Sequence, residues 1–226
     1  MRPPRMPLAI IVAGMMSGCG GTTNEVITSP QIGQYRIVRI AVLPFTVTPK
    51  TLGQGRGYAE PAPPPVAGEK LAELFYLKLN AREGIAVVPP RIIRGAMPAL
   101  PAAAAVSRAQ LRELGERLNV GAVLEGTVEV YKERKGSAIG LDRPEDAAEV
   151  GFTVRLISVK DGEVLWTGDY YERQRPMIED ISGFLERGAR YLTVEQLSDS
   201  AVDHVLRGFP LGKPMKTKAS VAETAP

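Results

Sequence analysis

Two apolar runs joined by an Asp-Gly pair constrain this chain most. Val150-Gly-Phe-Thr-Val-Arg-Leu-Ile-Ser-Val159 is followed by Lys160-Asp161-Gly162-Glu163 and then by Val164-Leu-Trp-Thr-Gly-Asp-Tyr-Tyr171. β-Branched and aromatic runs separated by turn residues make an antiparallel hairpin. Asp-Gly supplies the positive φ angles of a tight type I′ turn. That turn puts Val159 opposite Val164 and Ile157 opposite Trp166, cross-strand pairs that favour a sheet. An isolated hairpin is marginal in water, so the rest of the chain must extend the sheet and cover its apolar face.

The remaining pattern supplies both. Ile37 to Leu43 is a β-branched run ended by Pro44 and reads as a buried strand. Residues 46–66, with Gly53-Gln-Gly-Arg-Gly57 and Pro61-Ala-Pro-Pro-Pro65, read as a long loop that is disordered or faces a partner. Ala67 to Asn80 reads as a helix with Leu71, Leu74, Phe75 and Lys78 along one side. Gly84 to Val88 reads as a short strand stopped by Pro89-Pro90. Ser107 and Gln110 have the spacing of a capping box, and Leu111, Leu114 and Leu118 continue that helix to a C-cap at Asn119. Ala122 to Lys132 is the next strand, and Glu133 to Glu149 a charged loop. A second capping box, Thr193 with Gln196, opens a last helix carrying Leu197, Ala201, Val202, Val205 and Leu206. Helical crossovers allow parallel neighbours and the hairpin adds antiparallel ones. The expected fold is therefore α/β: one sandwich with a mixed sheet of about five strands, packed by about three helices.

The amino terminus dictates location. Arg2 and Arg5 precede an apolar stretch, Leu8 to Met16, of nine residues. A bilayer-spanning helix needs ~20, so the stretch reads as a secretory signal. Met16-Ser17-Gly18-Cys19 resembles the lipobox of bacterial lipoproteins, with methionine where leucine is commoner. The resemblance implies recognition of Met16, Ser17 and Gly18 by the signal peptidase, cleavage before Cys19, and diacylglyceryl and N-acyl chains on that residue. Its chemistry agrees, since a thiolate is the nucleophile that accepts a thioether. Cys19 is also the only cysteine, so it has no internal disulfide partner. Lipoproteins held at the inner membrane commonly carry aspartate just after the cysteine. Gly20 here implies, by the same resemblance, the periplasmic face of the outer membrane, with inner-membrane anchoring left open. The expected division is a leader at 1–18, a flexible lipid-anchored tether at 19–35, the α/β domain at 36–209 and a disordered tail at 210–226.

Three motifs carry a wider resemblance. Ile40-Ala-Val-Leu-Pro-Phe45, Leu118-Asn-Val-Gly-Ala-Val-Leu-Glu-Gly126 and Val154-Arg-Leu-Ile-Ser-Val-Lys-Asp-Gly-Glu-Val-Leu-Trp166 are similar to segments of the CsgG and TolB amino-terminal-domain group. That group includes outer-membrane lipoprotein activators of penicillin-binding proteins. Ser158 and Lys160-Asp161 depart from the commonest residues of its hairpin. The resemblance spans about residues 36 to 208 and implies fold rather than function, because these relatives do different jobs.

Candidate chemistry is sparse. His204 is the only histidine and, once Cys19 is acylated, has no second His or Cys with which to hold zinc. Ser107 and Ser182 lack a nucleophile-elbow context. The glycines at 53–57 lack the Lys-Ser/Thr pair of a phosphate loop. Glu145-Asp146 and Glu179-Asp180 lie in charged stretches and read as solvated. Tyr170-Tyr171 with Arg173 and Arg175 reads as strand-end packing before a contact surface. Arg2 and Arg5 leave with the leader and lower the formal charge from +3 by two, to +1, which removes the case for nucleic acid. No catalytic, metal or cofactor residue is expected. The expected function is a non-enzymatic envelope lipoprotein that binds another protein as an assembly accessory, with homo-oligomerisation left open. A CsgG-type secretion component comes second: its best membrane hairpin, Lys132 to Glu149, is heavily charged, which hydrocarbon penalises. A peptidoglycan- or glycan-acting hydrolase comes third.

Overall fold

The computed structural model describes residues 22–48, 62–96, 106–135, 147–174 and 191–214. In chain order the elements begin with β1 (Thr22–Thr28), β2 (Arg39–Val42), β3 (Thr46–Val47), α1 (Pro65–Asn80), β4 (Arg82–Glu83) and β5 (Ala86–Val88). They continue with α2 (Pro90–Ala96), α3 (Arg108–Leu118), β6 (Ala122–Lys132), β7 (Glu149–Ser158), β8 (Val164–Arg173), α4 (Val194–Arg207) and β9 (Lys213–Pro214). The result is an α/β fold with a mixed sheet of seven strands, ordered β1-β8-β7-β6-β2-β5, with β3 also beside β6. β4 and β9 form a separate antiparallel pair. β2 runs parallel to β5 and β6, as helical crossovers require. β6, β7, β8 and β1 form an antiparallel meander.

Alternation along β2 explains the layers. Ile40 and Val42 enter a large core beneath α1 and α4, whereas Ala41 and Leu43 enter a smaller core beneath α2 and α3. A strand covered on both faces reads as an unbroken apolar run, as this one does. The large core is threaded by an aromatic row: Phe45 to Phe75 at 5.4 Å, Phe75 to Phe152 at 5.6 Å and Phe152 to Tyr170 at 5.8 Å between ring centroids. Gly126 makes room for that row, since a Cβ there would lie 2.5 Å from the Phe45 ring.

Both capping boxes form as expected. Gln110 N donates to Ser107 Oγ at 3.3 Å, and Ser107 N donates to Gln110 Oε1 at 2.9 Å. The Thr193–Gln196 pair repeats this at 3.2 and 3.1 Å. Asn119 ends α3 in the left-handed region at φ 50°.

Other expectations are corrected. The hairpin register differs: Leu156 faces Trp166 and Ile157 faces Val164, with an irregularity between them. Val159 leaves the ladder, and its N–H donates to Gly121 O across the sheet at 3.2 Å. The turn is consequently longer than two residues, and only Gly162 has positive φ, at 77°. The expected tether contains β1, which pairs with β8 over all seven residues. Its threonines read as linker by polarity, yet β-branched side chains suit an exposed edge strand. The helix expected from Ala67 starts at Pro65, because proline at the first helical position gives up no hydrogen bond. Pro90 likewise opens α2 rather than only ending a strand, which makes four helices among the described residues. The first expected strand narrows to Arg39–Val42 and the second to Ala86–Val88. Glu149 belongs to β7 rather than to the charged loop. In the expected tail, Lys213 and Pro214 pair with β4. The leader, Met16 to Cys19 and residues 215–226 lie outside the described residues.

Candidate functional site

α1 and α4 lie side by side over the sheet, and their inner faces are apolar. Leu71, Ala72, Phe75 and Leu79 of α1 and Leu197, Ala201, Val202 and Val205 of α4 are all buried. Their outer edges are stitched by charge. Lys70 pairs with Glu195, and Lys78 Nζ sits 2.9 Å from Asp199 and 2.8 Å from Asp203. Burial works against the Lys78 charge, but the two carboxylates outweigh it and hold its pKa above the ordinary lysine value.

Between the helices the surface opens into a groove of about 370 Å³. Its apolar lining is Leu71, Leu74, Leu77 and Tyr131, with Glu73, Glu195 and Asp199 among its polar residues. Leu77 is 55% exposed, unusual for leucine beside a well-filled core. The Tyr131 hydroxyl is buried beside Ser198. Burial raises its pKa, with Glu195 and Glu133 adding and Lys70 and a hydrogen bond with Ser198 opposing. The groove therefore offers apolar contact, a tyrosine hydroxyl and an acidic margin, a combination suited to binding rather than to bond-making.

The residues singled out in the sequence do not converge on it. His204 lies on α4 with Nδ1 3.1 Å from Ser200 O, its ring 6.0 Å from that of Tyr170. Tyr170 and Tyr171 point to opposite faces of β8, as neighbours on a strand must. Tyr170 is buried against Phe152 and donates to Glu172 at 2.5 Å, whereas Tyr171 donates to Glu149. Burial, and then the Glu172 carboxylate, raise the Tyr170 pKa far above that of a free tyrosine. Ser107 is spent on its capping box. Cys19, the 53–57 glycines, Glu145-Asp146, Arg175, Glu179-Asp180, Ser182 and the centre of the Lys132–Glu149 hairpin lie outside the described residues. Among the described residues no group of three His, Cys, Asp or Glu side chains is placed to hold a metal ion. No helix among them is long and apolar enough to cross a membrane. Sequence reasoning missed the groove, although Val66, Lys70, Glu73 and Leu77 recur at helical spacing with apolar residues at both ends, which was its signal.

No protein-family model matches the chain. No curated protein matches it significantly. Among solved structures it is similar to the PelC dodecamer from Paraburkholderia phytofirmans, at 17% identity and a TM-score of 0.49, over 83% of this chain and 96% of that one. It is similar to lipoprotein GNA1162 from Neisseria meningitidis at 18% identity and 0.46, covering 75% of this chain and 99% of the other. The LpoB C-terminal domain from Salmonella enterica follows at 16% and 0.33, covering 61% and 83%. Bacterial lipoproteins are thus among its structural neighbours, and likeness at this level assigns neither family nor activity.

Proposed function

We propose that the chain is a non-enzymatic lipoprotein of the bacterial envelope that binds another envelope protein through the α1–α4 groove. The observation that carries this reading is the half-exposed Leu77 beside Leu74 and the buried Tyr131 hydroxyl, in a groove whose margins carry ion pairs. Exposed apolar surface rimmed by charge is the usual form of a protein contact site. The Met16-Ser17-Gly18-Cys19 motif supports cleavage before Cys19 and acylation of that residue, and the residue after it supports the periplasmic face of the outer membrane. The similarity of the three sequence motifs to the CsgG and TolB group belongs to the same reading.

Affinity capture from crosslinked envelopes tests it, comparing the native chain with Leu77→Glu. Leu77 is exposed, so the variant should keep its fold, and its circular dichroism should be unchanged. A partner recovered with the native chain and lost with the variant is the expected outcome. Equal recovery with both would remove the groove from the account.

A further inference from the structure

We propose that the lipid on Cys19 orients the domain as well as tethering it, holding the sheet end formed by Thr22, Glu172, Glu149 and Lys132 against the lipid headgroups. This rests on the reading that Cys19 is acylated. Gly20 and Gly21 alone separate Cys19 from β1. Three Cα–Cα steps reach at most about 11 Å even when fully extended. Thr22 is itself the first rung of the ladder, opposite Glu172, and the six residues after it are also paired with β8. The first residue of β1 cannot swing away without breaking that ladder.

A free tether over residues 19–35 would behave differently. Its ends would separate by roughly 20 Å on average, and the domain would tumble beneath the membrane. Anchoring at β1 instead sets a fixed polarity. Arg173 pairs with Glu149, which pairs with Lys132, so these ends of β8, β7 and β6 lie alongside Thr22. The Asp161–Gly162 turn is at the other end of β8, about 30 Å away by strand rise.

Among the described residues Lys132, Arg134, Lys135 and Arg173 share the near end with Glu133, Glu149 and Glu172, and Lys132 Nζ sits 3.4 Å from Glu149. Each of those carboxylates accepts from inside the protein: Glu133 from Val194 N, Glu149 from the Tyr171 hydroxyl and Glu172 from the Tyr170 hydroxyl. The Glu133 contact also places the start of α4 at this end, so the groove begins near the bilayer at the Lys70–Glu195 pair and runs away from it.

The test uses the full, acylated chain in vesicles of phosphatidylethanolamine and phosphatidylglycerol that carry a nitroxide quencher on some headgroups. Acylated Cys19 has no free thiol, so one introduced cysteine takes the fluorophore uniquely. Thr23→Cys reports the near end and Lys160→Cys the far end, both at exposed positions. Quenching at 23 should exceed that at 160 several-fold. Inserting about twelve Gly/Ser residues between Gly21 and Thr22 should bring the two close together, because such a segment is a flexible coil. Equal quenching in the acylated, uninserted chain, or an insertion without effect, would overturn the proposal and leave the anchor standing. An amino-terminal peptide whose mass shows no acyl chains would sink both.

Discussion

Arg82 shows how much one side chain can hold. Nε donates to Leu211 O at 3.0 Å, Nη1 to Leu206 O at 3.2 Å, and Nη2 to Phe209 O at 3.2 Å and Gly212 O at 3.0 Å. Leu206 lies in the last turn of α4 and the other three carbonyls in the segment after it, so this guanidinium fixes the way the chain leaves the helix. Trp166 Nε1 adds a bond to Gly208 O at 3.0 Å. Burial lowers the Arg82 pKa, but a guanidinium remains charged throughout the working range. Arg82→Ala should cost about 2–4 kcal/mol in denaturant unfolding, and Arg82→Lys should recover only part of it, because one ammonium cannot reproduce the planar fork. Lys78 provides a pH signature. Its folded pKa lies above the ordinary value of 10.5, so its contribution is complete below that value and is lost as pH rises through the folded pKa. The stability gap between the native chain and Lys78→Met should therefore hold through neutral pH and shrink in the alkaline range above about 10.5. Thermal melts of both proteins across that range would show it. Gly126→Ala should cost about 1–3 kcal/mol by forcing the Phe45 ring from its place, also readable by melting.

Secondary-structure elements were legible where their signals are local. Ser107–Gln110 and Thr193–Gln196 announce helix starts because the bonds they make lie within four residues of chain. Thr193→Ala should therefore lower stability by about 1 kcal/mol, as measured by chemical denaturation. Signals that depend on distant neighbours were not legible. Thr22–Thr28 has β-branched residues that suit a strand, but that it becomes one depends on the edge β8 offers, which no residue inside the segment states. The shift of register before the Asp161–Gly162 turn has the same origin, since Val159 bonds to Gly121, far away in sequence. Pro65 and Pro90 were read as loop or stop residues, although proline serves equally well at a helix start. The groove was half visible. Leu74 was assigned to the apolar side of α1, but the exposure of Leu77 follows from how α4 lies against that helix.

At the scale of the molecule, the chain joins a segment that resembles a lipobox to a single α/β domain whose helical layer carries a groove. The fold class followed from the order of apolar periodicities, because crossovers and hairpins leave few arrangements open. Function was less legible, because a binding surface needs exposed apolar residues rather than a fixed set of reactive ones. The most direct measurement places a photo-crosslinking side chain in living cells at position 77 of the groove and, separately, at Arg112, exposed on α3 over the opposite face of the sheet. The account predicts one discrete crosslinked envelope product from position 77, weakened by Leu74→Glu and missing from position 112. The same product from both positions, or none from position 77, would contradict it.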